Sequence, residues 1–130
     1  MRRREAPESR LIVVVDDDGA VCNAISNLLE SGGFQARSFH SVDDFLQSEL
    51  LGHTACLILD VRMPGLSGLD LQTEIVQCNL SIPIIFITAH ADEGAREQAM
   101  QAGAVAFLSK PFSADVLLSA VRSTFESSGD

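Results

Sequence analysis

The amino-acid sequence predicts a single α/β domain in which a parallel sheet carries helices on both faces. Three observations predict it. Residues 11–15, 55–59 and 83–87 hold no charge at all, and uninterrupted apolar runs of this length belong to strands buried on both faces, as in parallel sheets. Two shorter or more polar strand-like runs complete a set of five. Between them lie segments with apolar residues at helical spacing, so strand and helix alternate strictly, which is the pattern of an α/β layer architecture. No internal repeat or composition break divides the 130 residues, a length suited to one well-buried core.

Taken in order, Leu11-Ile12-Val13-Val14-Val15 is a β-branched first strand that stops at Asp16, Asp17 and Asp18. Val21, Ala24, Ile25, Leu28 and Leu29 then repeat at helical spacing as far as Gly32-Gly33, a C-terminal stop signal. Residues 34–39 form a short, more polar strand suited to an edge. Ser41-Val42-Asp43-Asp44 resembles a capping box, and Phe45, Leu46 and Leu50 are expected on the inner face of the second helix. The third strand ends abruptly at Asp60, with a turn at Pro64-Gly65. Ser67 and Asp70 repeat the cap pattern before a helix striped by Leu71, Ile75 and Cys78.

The fourth strand ends at Thr88. The helix that follows, residues 93–102, has only small inward candidates: Ala95, Ala99 and Ala102. So little apolar area implies weak anchoring, because burial contributes only ~25 cal/mol per Å². A fifth strand, residues 104–109, leads into Lys110-Pro111, an X-Pro bond in a turn and so a candidate cis peptide. Ser113 caps a last helix faced by Leu117, Ala120, Val121 and Thr124. Residues 1–10, with Arg2, Arg3 and Arg4 but no apolar stretch behind them, read as a flexible tail; the domain spans 11–126, and 127–130 read as a linker or tail.

Composition narrows the function. A formal charge of −9 argues against this domain gripping nucleic acid by itself, since duplex binding needs phosphate neutralisation. No run is long enough to span a bilayer. Three cysteines without metal-ligand spacing suggest reduced thiols in a cytoplasmic protein. Cys22, Cys56 and Cys78 all fall in apolar patterns, as buried filler would.

Right-handed crossovers restrict the ways five β/α units can be ordered. The flavodoxin-like order 2-1-3-4-5 opens its crevice between the first and third strands, at their carboxyl ends. Those two strands end in Asp16-Asp17 and in Asp60. Converging carboxylates repel and push a pKa up, a conflict that a hard divalent cation with oxygen ligands resolves. Asp18 alternatively caps the first helix. Lys110 is the only lysine in the chain, and a compact ammonium suits a single phosphoryl oxygen better than a planar fork does. Thr88 brings a hydroxyl to the fourth strand's end, although Thr is a common strand residue.

With these positions in place, the sequence resembles the receiver domain of two-component response regulators over roughly residues 11–125. The resemblance rests on the acidic pair after the first strand, Leu59-Asp60-Val61-Arg62-Met63-Pro64-Gly65, Thr88-Ala89 and Ser109-Lys110-Pro111-Phe112. Asp60-Val61-Arg62-Met63-Pro64 with Thr88-Ala89-His90 looks closest to regulators of the nitrogen-fixation type, which carry a C-terminal helix-turn-helix. The resemblance implies that Asp60 accepts a phosphoryl group from a sensor histidine kinase. It implies Mg²⁺ (or Mn²⁺) at Asp16, Asp17, Asp60 and the backbone carbonyl of Arg62, with Lys110 and Thr88 on phosphoryl oxygens. Phe107 matches the family's switch aromatic, often Tyr, and is equally suited to plain core packing. Arg62 and His90 flank the site where acyl-phosphate lifetime is tuned. A homodimer through the fourth helix, fifth strand and fifth helix is a further family expectation, as is a transcriptional output.

Other functions fit less well. Phosphatases and phosphotransferases with an aspartyl nucleophile usually want a second acid two residues on, where this chain has Arg62. A nucleotide or flavin site needs a glycine-rich turn after the first strand, and Asp16-Asp17-Asp18-Gly19 repels phosphate instead. The remaining rival is a receiver-like interaction module that signals without phosphorylation.

Overall fold

The computed structural model of the protein describes residues 11–63, 65–89 and 93–128. Five strands, β1 (Leu11–Val15), β2 (Gln35–Phe39), β3 (Cys56–Asp60), β4 (Ile84–Thr88) and β5 (Ala106–Ser109), alternate with five helices. The helices are α1 (Gly19–Ser31), α2 (Val42–Gln47), α3 (Gly68–Gln77), α4 (Glu93–Gln101) and α5 (Ala114–Ser128), and a 3₁₀ turn, Leu51–His53, precedes β3. The strands form one sheet, β2-β1-β3-β4-β5, and every neighbouring pair is parallel. The expected flavodoxin-like order is the observed one.

Alternation along each strand divides the core in two. Val13, Val15, Leu57, Leu59 and Phe86 face α2, α3 and α4, through Phe45, Leu71, Ile75, Ala95 and Ala99. Ile12, Val14, Ile58, Ile85 and Ile87 face α1 and α5, through Cys22, Ile25, Leu29, Leu117 and Val121. Strands β3 and β4 are buried at all five positions, which is why their sequences lack polar alternation. The edge strands β2 and β5 contain no fully buried residue.

Caps form as their sequences suggest. Asp18 accepts from the N–H groups of Ala20 and Val21. Ser41 accepts from Asp44, Ser113 accepts from Val116, and Ser67 and Asp70 close a complete capping box. Gly33, at φ 93°, takes the left-handed conformation that ends α1.

Several inward assignments need correction. α2 is only six residues long; Val42 and Phe45 fill its inner face, so Leu46 turns outward at 37% exposure, while Leu50 lies past its end. The α1 stripe is Cys22, Ile25 and Leu29, with Ala24 exposed and Val21 and Leu28 half-buried. Cys78 is the exposed C-cap of α3, and the buried side chains of that helix are Leu71, Gln72 and Ile75, with Gln72 2% exposed. Ala102 lies beyond α4 in an exposed turn. α5 continues through Ser128. The tail at residues 1–10, His90 and residues 129–130 lie outside the described residues.

α4 buries only small side chains. Ala95 and Ala99 are its only buried side chains, and at ~0.8 kcal/mol per buried methylene-sized group they supply under ~2 kcal/mol. The buried amide of Gln72 adds a hydrogen bond from Nε2 to the Ala99 carbonyl oxygen at 3.0 Å, worth ~1 kcal/mol net.

Candidate functional site

Sheet register builds the site. Val15 pairs with Leu59, so the next residues, Asp16 and Asp60, leave the carboxyl edge side by side. Asp17 joins them: one carboxylate oxygen from each of Asp16, Asp17 and Asp60 lies within 4.8 Å of the others. Asp16 and Asp60 are buried and Asp17 is exposed, so the cluster opens to solvent on one side. Thr88 ends β4, 2% exposed, and pairs in register with Ser109 at the end of β5. That places Lys110 beyond the edge, its N–H donating to the Thr88 carbonyl at 2.7 Å. The Lys110–Pro111 peptide is cis, as the turn sequence suggested.

Lys110 reaches across to the acids. Its Nζ is 2.9 Å from Asp16 Oδ2 and 3.6 Å from Asp60 Oδ2. Asp16 Oδ1 accepts from the Asp18 N–H at 2.9 Å, and Asp60 Oδ1 accepts from the Arg62 N–H at 3.2 Å. The backbone of Arg62 therefore folds over Asp60 while its side chain is exposed. Phe107 is half-buried beside Phe86, ring centroids 6.1 Å apart, against the core layer that holds Ala95 and Ala99.

The electrostatics are those of a crowded acid site. Burial and the neighbouring Asp16 charge push the Asp60 carboxyl up to about 6 from 3.8, against the opposing pull of Lys110 and the Arg62 N–H. Burial works to lower the Lys110 pKa, but its bond to Asp16 and the charges of Asp60, Asp16 and Asp18 outweigh it, and the net shift is upward. Three carboxylates with one ammonium leave excess negative charge and all-oxygen donors. That donor set fits a hard divalent cation.

Two contributors have weak sequence signals. Gly68, the first residue of α3, is buried beneath Asp60. A Cβ there would stand 2.3 Å from the Asp60 carbonyl oxygen and 3.1 Å from the Phe86 ring, so only glycine lets α3 start this close to β3. Its one signal is a poor helix former directly after the Ser67 cap. Cys22 supports the cluster from below, its Sγ 3.2 Å from the Asp16 carbonyl oxygen. Burial and the Asp16 charge raise its thiol pKa.

Fold and site together define a receiver of the two-component type. The sequence profile of the response regulator receiver domain matches residues 12–122, and the chain belongs to that family. Among relatives, Nodulation protein W of Bradyrhizobium diazoefficiens is 49% identical over 117 residues, covering 90% of this chain and 52% of its own length. Transcriptional regulatory protein FixJ of Azorhizobium caulinodans is 37% identical, covering 95% of this chain and 59% of that protein. The chain thus spans about half the length of the curated relatives it matches. The crystal structure of FixJ-N superposes with TM-score 0.80 at 32% identity, covering 89% of this chain and 93% of that one. Response regulator StyR superposes with TM-score 0.82 at 42% identity, covering 89% and 59% respectively. The family consists of signalling proteins rather than turnover enzymes, and among the described residues no helix is long and apolar enough to cross a membrane.

Proposed function

We propose that this domain is a phosphorylation-driven switch in which Asp60 takes a phosphoryl group from the phosphohistidine of a cytoplasmic sensor kinase. The observation that carries the proposal is the convergence of Asp16, Asp17 and Asp60 within 4.8 Å, with Lys110 bridging two of them. An Asp60 carboxylate oxygen attacks phosphorus, the P–N bond breaks, and its electron pair departs on the histidine nitrogen, leaving an acyl phosphate on Asp60. Asp16, Asp17, Asp60 and the Arg62 carbonyl would hold Mg²⁺ (or Mn²⁺), which when bound neutralises charge on the transferring group. Lys110 leaves Asp60 for a phosphoryl oxygen, and the Thr88 hydroxyl takes another.

The transferred group adds roughly −1.5 to −2 charge at neutral pH. Thr88 at the end of β4 and Lys110 just past β5 are backbone-bonded neighbours, so binding that charge bears on both strands and on Phe107. α4, whose buried side chains are two alanines, is the element that yields. The output is transcriptional, as the relatives' names suggest, and lies outside this domain, whose charge of −9 disfavours direct contact with DNA. The α4–β5–α5 side exposes Met100, Val105 and Val116, which supports homodimerisation there on phosphorylation. Self-dephosphorylation is the only hydrolytic activity assigned, with Arg62 beside the acyl phosphate.

Intact mass after incubation with a small-molecule phosphodonor, with and without Mg²⁺, tests this. One Mg²⁺-dependent phosphoryl adduct is expected, absent in Asp60→Asn. A folded wild-type protein that gains none would overturn the proposal in favour of a phosphorylation-independent module.

A further inference from the structure

The contact between α3 and α4 combines small apolar groups with a buried amide. The buried side chains of α4 are the methyl groups of Ala95 and Ala99, a smooth apolar surface over which a helix slides or rolls at small cost. Against it, the second turn of α3 buries an amide. Gln72 is 2% exposed, and its Nε2 donates to the carbonyl of Ala99 in the last turn of α4 at 3.0 Å. The same carbonyl accepts the N–H of Ala104, the residue that leads toward β5. One acceptor thus joins α3, the end of α4 and the approach to Phe107.

From this geometry we infer that Gln72 is a latch: its amide fixes the register of α4 on α3 and so sets how readily α4 shifts when Asp60 is phosphorylated. An axial slide of α4 by one residue, about 1.5 Å, stretches and misaligns the bond to the Ala99 carbonyl and so weakens the pairing of a buried donor. The alanine contacts barely register such a slide. Directionality therefore comes from the amide and not from the apolar packing. Gln72 touches none of the reacting atoms; it is a positioning residue acting through α4. The regulatory half of the inference rests on the phosphoryl-switch function proposed above. The latch itself does not.

Gln72→Met tests it, keeping length, burial and helix propensity while removing the donor; Gln77→Met, on the exposed end of α3, is the control. Amide exchange of the unphosphorylated proteins reads the latch. The amides of Ala102, Gly103 and Ala104, bonded to Gln98, Met100 and Ala99, should exchange roughly fivefold faster in Gln72→Met, with β3 and β4 amides unchanged. Phosphorylation by the small-molecule donor reads the coupling. Its rate should rise about two- to fivefold in Gln72→Met, because the shifted state is more populated beforehand, while the donor concentration for half-maximal rate stays fixed. Unchanged exchange at those amides, or acceleration spread evenly over the domain, overturns the latch. Faster exchange with an unchanged phosphorylation rate overturns the regulatory role. A wild-type protein that takes no phosphoryl group refutes the switch function, while the exchange result still decides the latch.

Discussion

Gly68→Ala sets two physical effects of opposite sign against each other. Helix propensity favours alanine over glycine by at most ~1 kcal/mol in a helix interior, so on local grounds the variant should be slightly more stable. Tertiary packing says otherwise. The new Cβ would lie 2.3 Å from the Asp60 carbonyl oxygen, a backbone atom, and the Phe86 ring at 3.1 Å leaves no room on that flank. Reaching ordinary contact requires α3 and β3 to part by roughly 1 Å, in a core that resists such strain at a cost of ~1–3 kcal/mol. Net destabilisation of ~1–2 kcal/mol is expected in urea unfolding. Because the displaced strand end carries Asp60, phosphorylation by a small-molecule donor should slow at least ~10-fold, in keeping with the steep distance dependence of positioned reactions. Gly52→Ala is the control, since a Cβ there meets nothing within 4 Å. If Gly68→Ala were as stable as wild type and phosphorylated at the same rate, the close approach of α3 to Asp60 would be refuted.

Other expectations concern the charged cluster and the thiols. With no divalent cation bound, the Asp60 carboxyl ionises near 6 in the folded chain against 3.8 unfolded, so the folded state holds the extra proton between these values and stability falls as pH rises through that window. Asp60→Asn should therefore be the more stable protein at pH 7 and should converge with wild type below pH 4; parallel pH profiles would contradict this. Lys110→Met removes a charge that holds the Asp60 carboxyl down, so carbon NMR of Asp60 should show its midpoint moving above that of wild type, and a downward move would rule out the bridging geometry. Mg²⁺ at 100 times its dissociation constant should stabilise the wild-type fold by ~2.7 kcal/mol. The effect should reverse on chelation and weaken in Asp17→Asn; insensitivity to Asp17 would remove that residue from the ligand set. In native alkylation Cys78 should react first, because Cys22 and Cys56 are buried and burial pushes the Cys56 thiol up to about 12. Rapid labelling of Cys56 would contradict the packing between the sheet and α5.

What the sequence determined by itself is whatever depends on local pattern. Apolar runs without charge marked β1, β3 and β4, cap residues marked the starts of α1, α2, α3 and α5, and the alternation of elements implied a parallel sheet. The acids, the hydroxyl and the lone lysine at four strand ends were visible as chemistry, and their resemblance to a receiver site followed from their order. Contact was another matter. Lys110 and Asp16 are 94 residues apart and meet at 2.9 Å only because β1 and β5 share one sheet edge. Gln72 and Ala99, 27 apart, meet because α3 and α4 lie on the same face, and nothing in the polarity of Gln72 marked it as a core position. Gly68 has no local reason to open a helix; the Asp60 carbonyl stands where its side chain would be. Cys78 kept the spacing of an inner stripe, yet α3 ends there and leaves it in solvent. Periodicity is a property of neighbouring residues and can be read along a chain. Which faces meet, how closely, and where a helix stops burying its stripe are set by strand order and register, and those exist only once the sheet has formed.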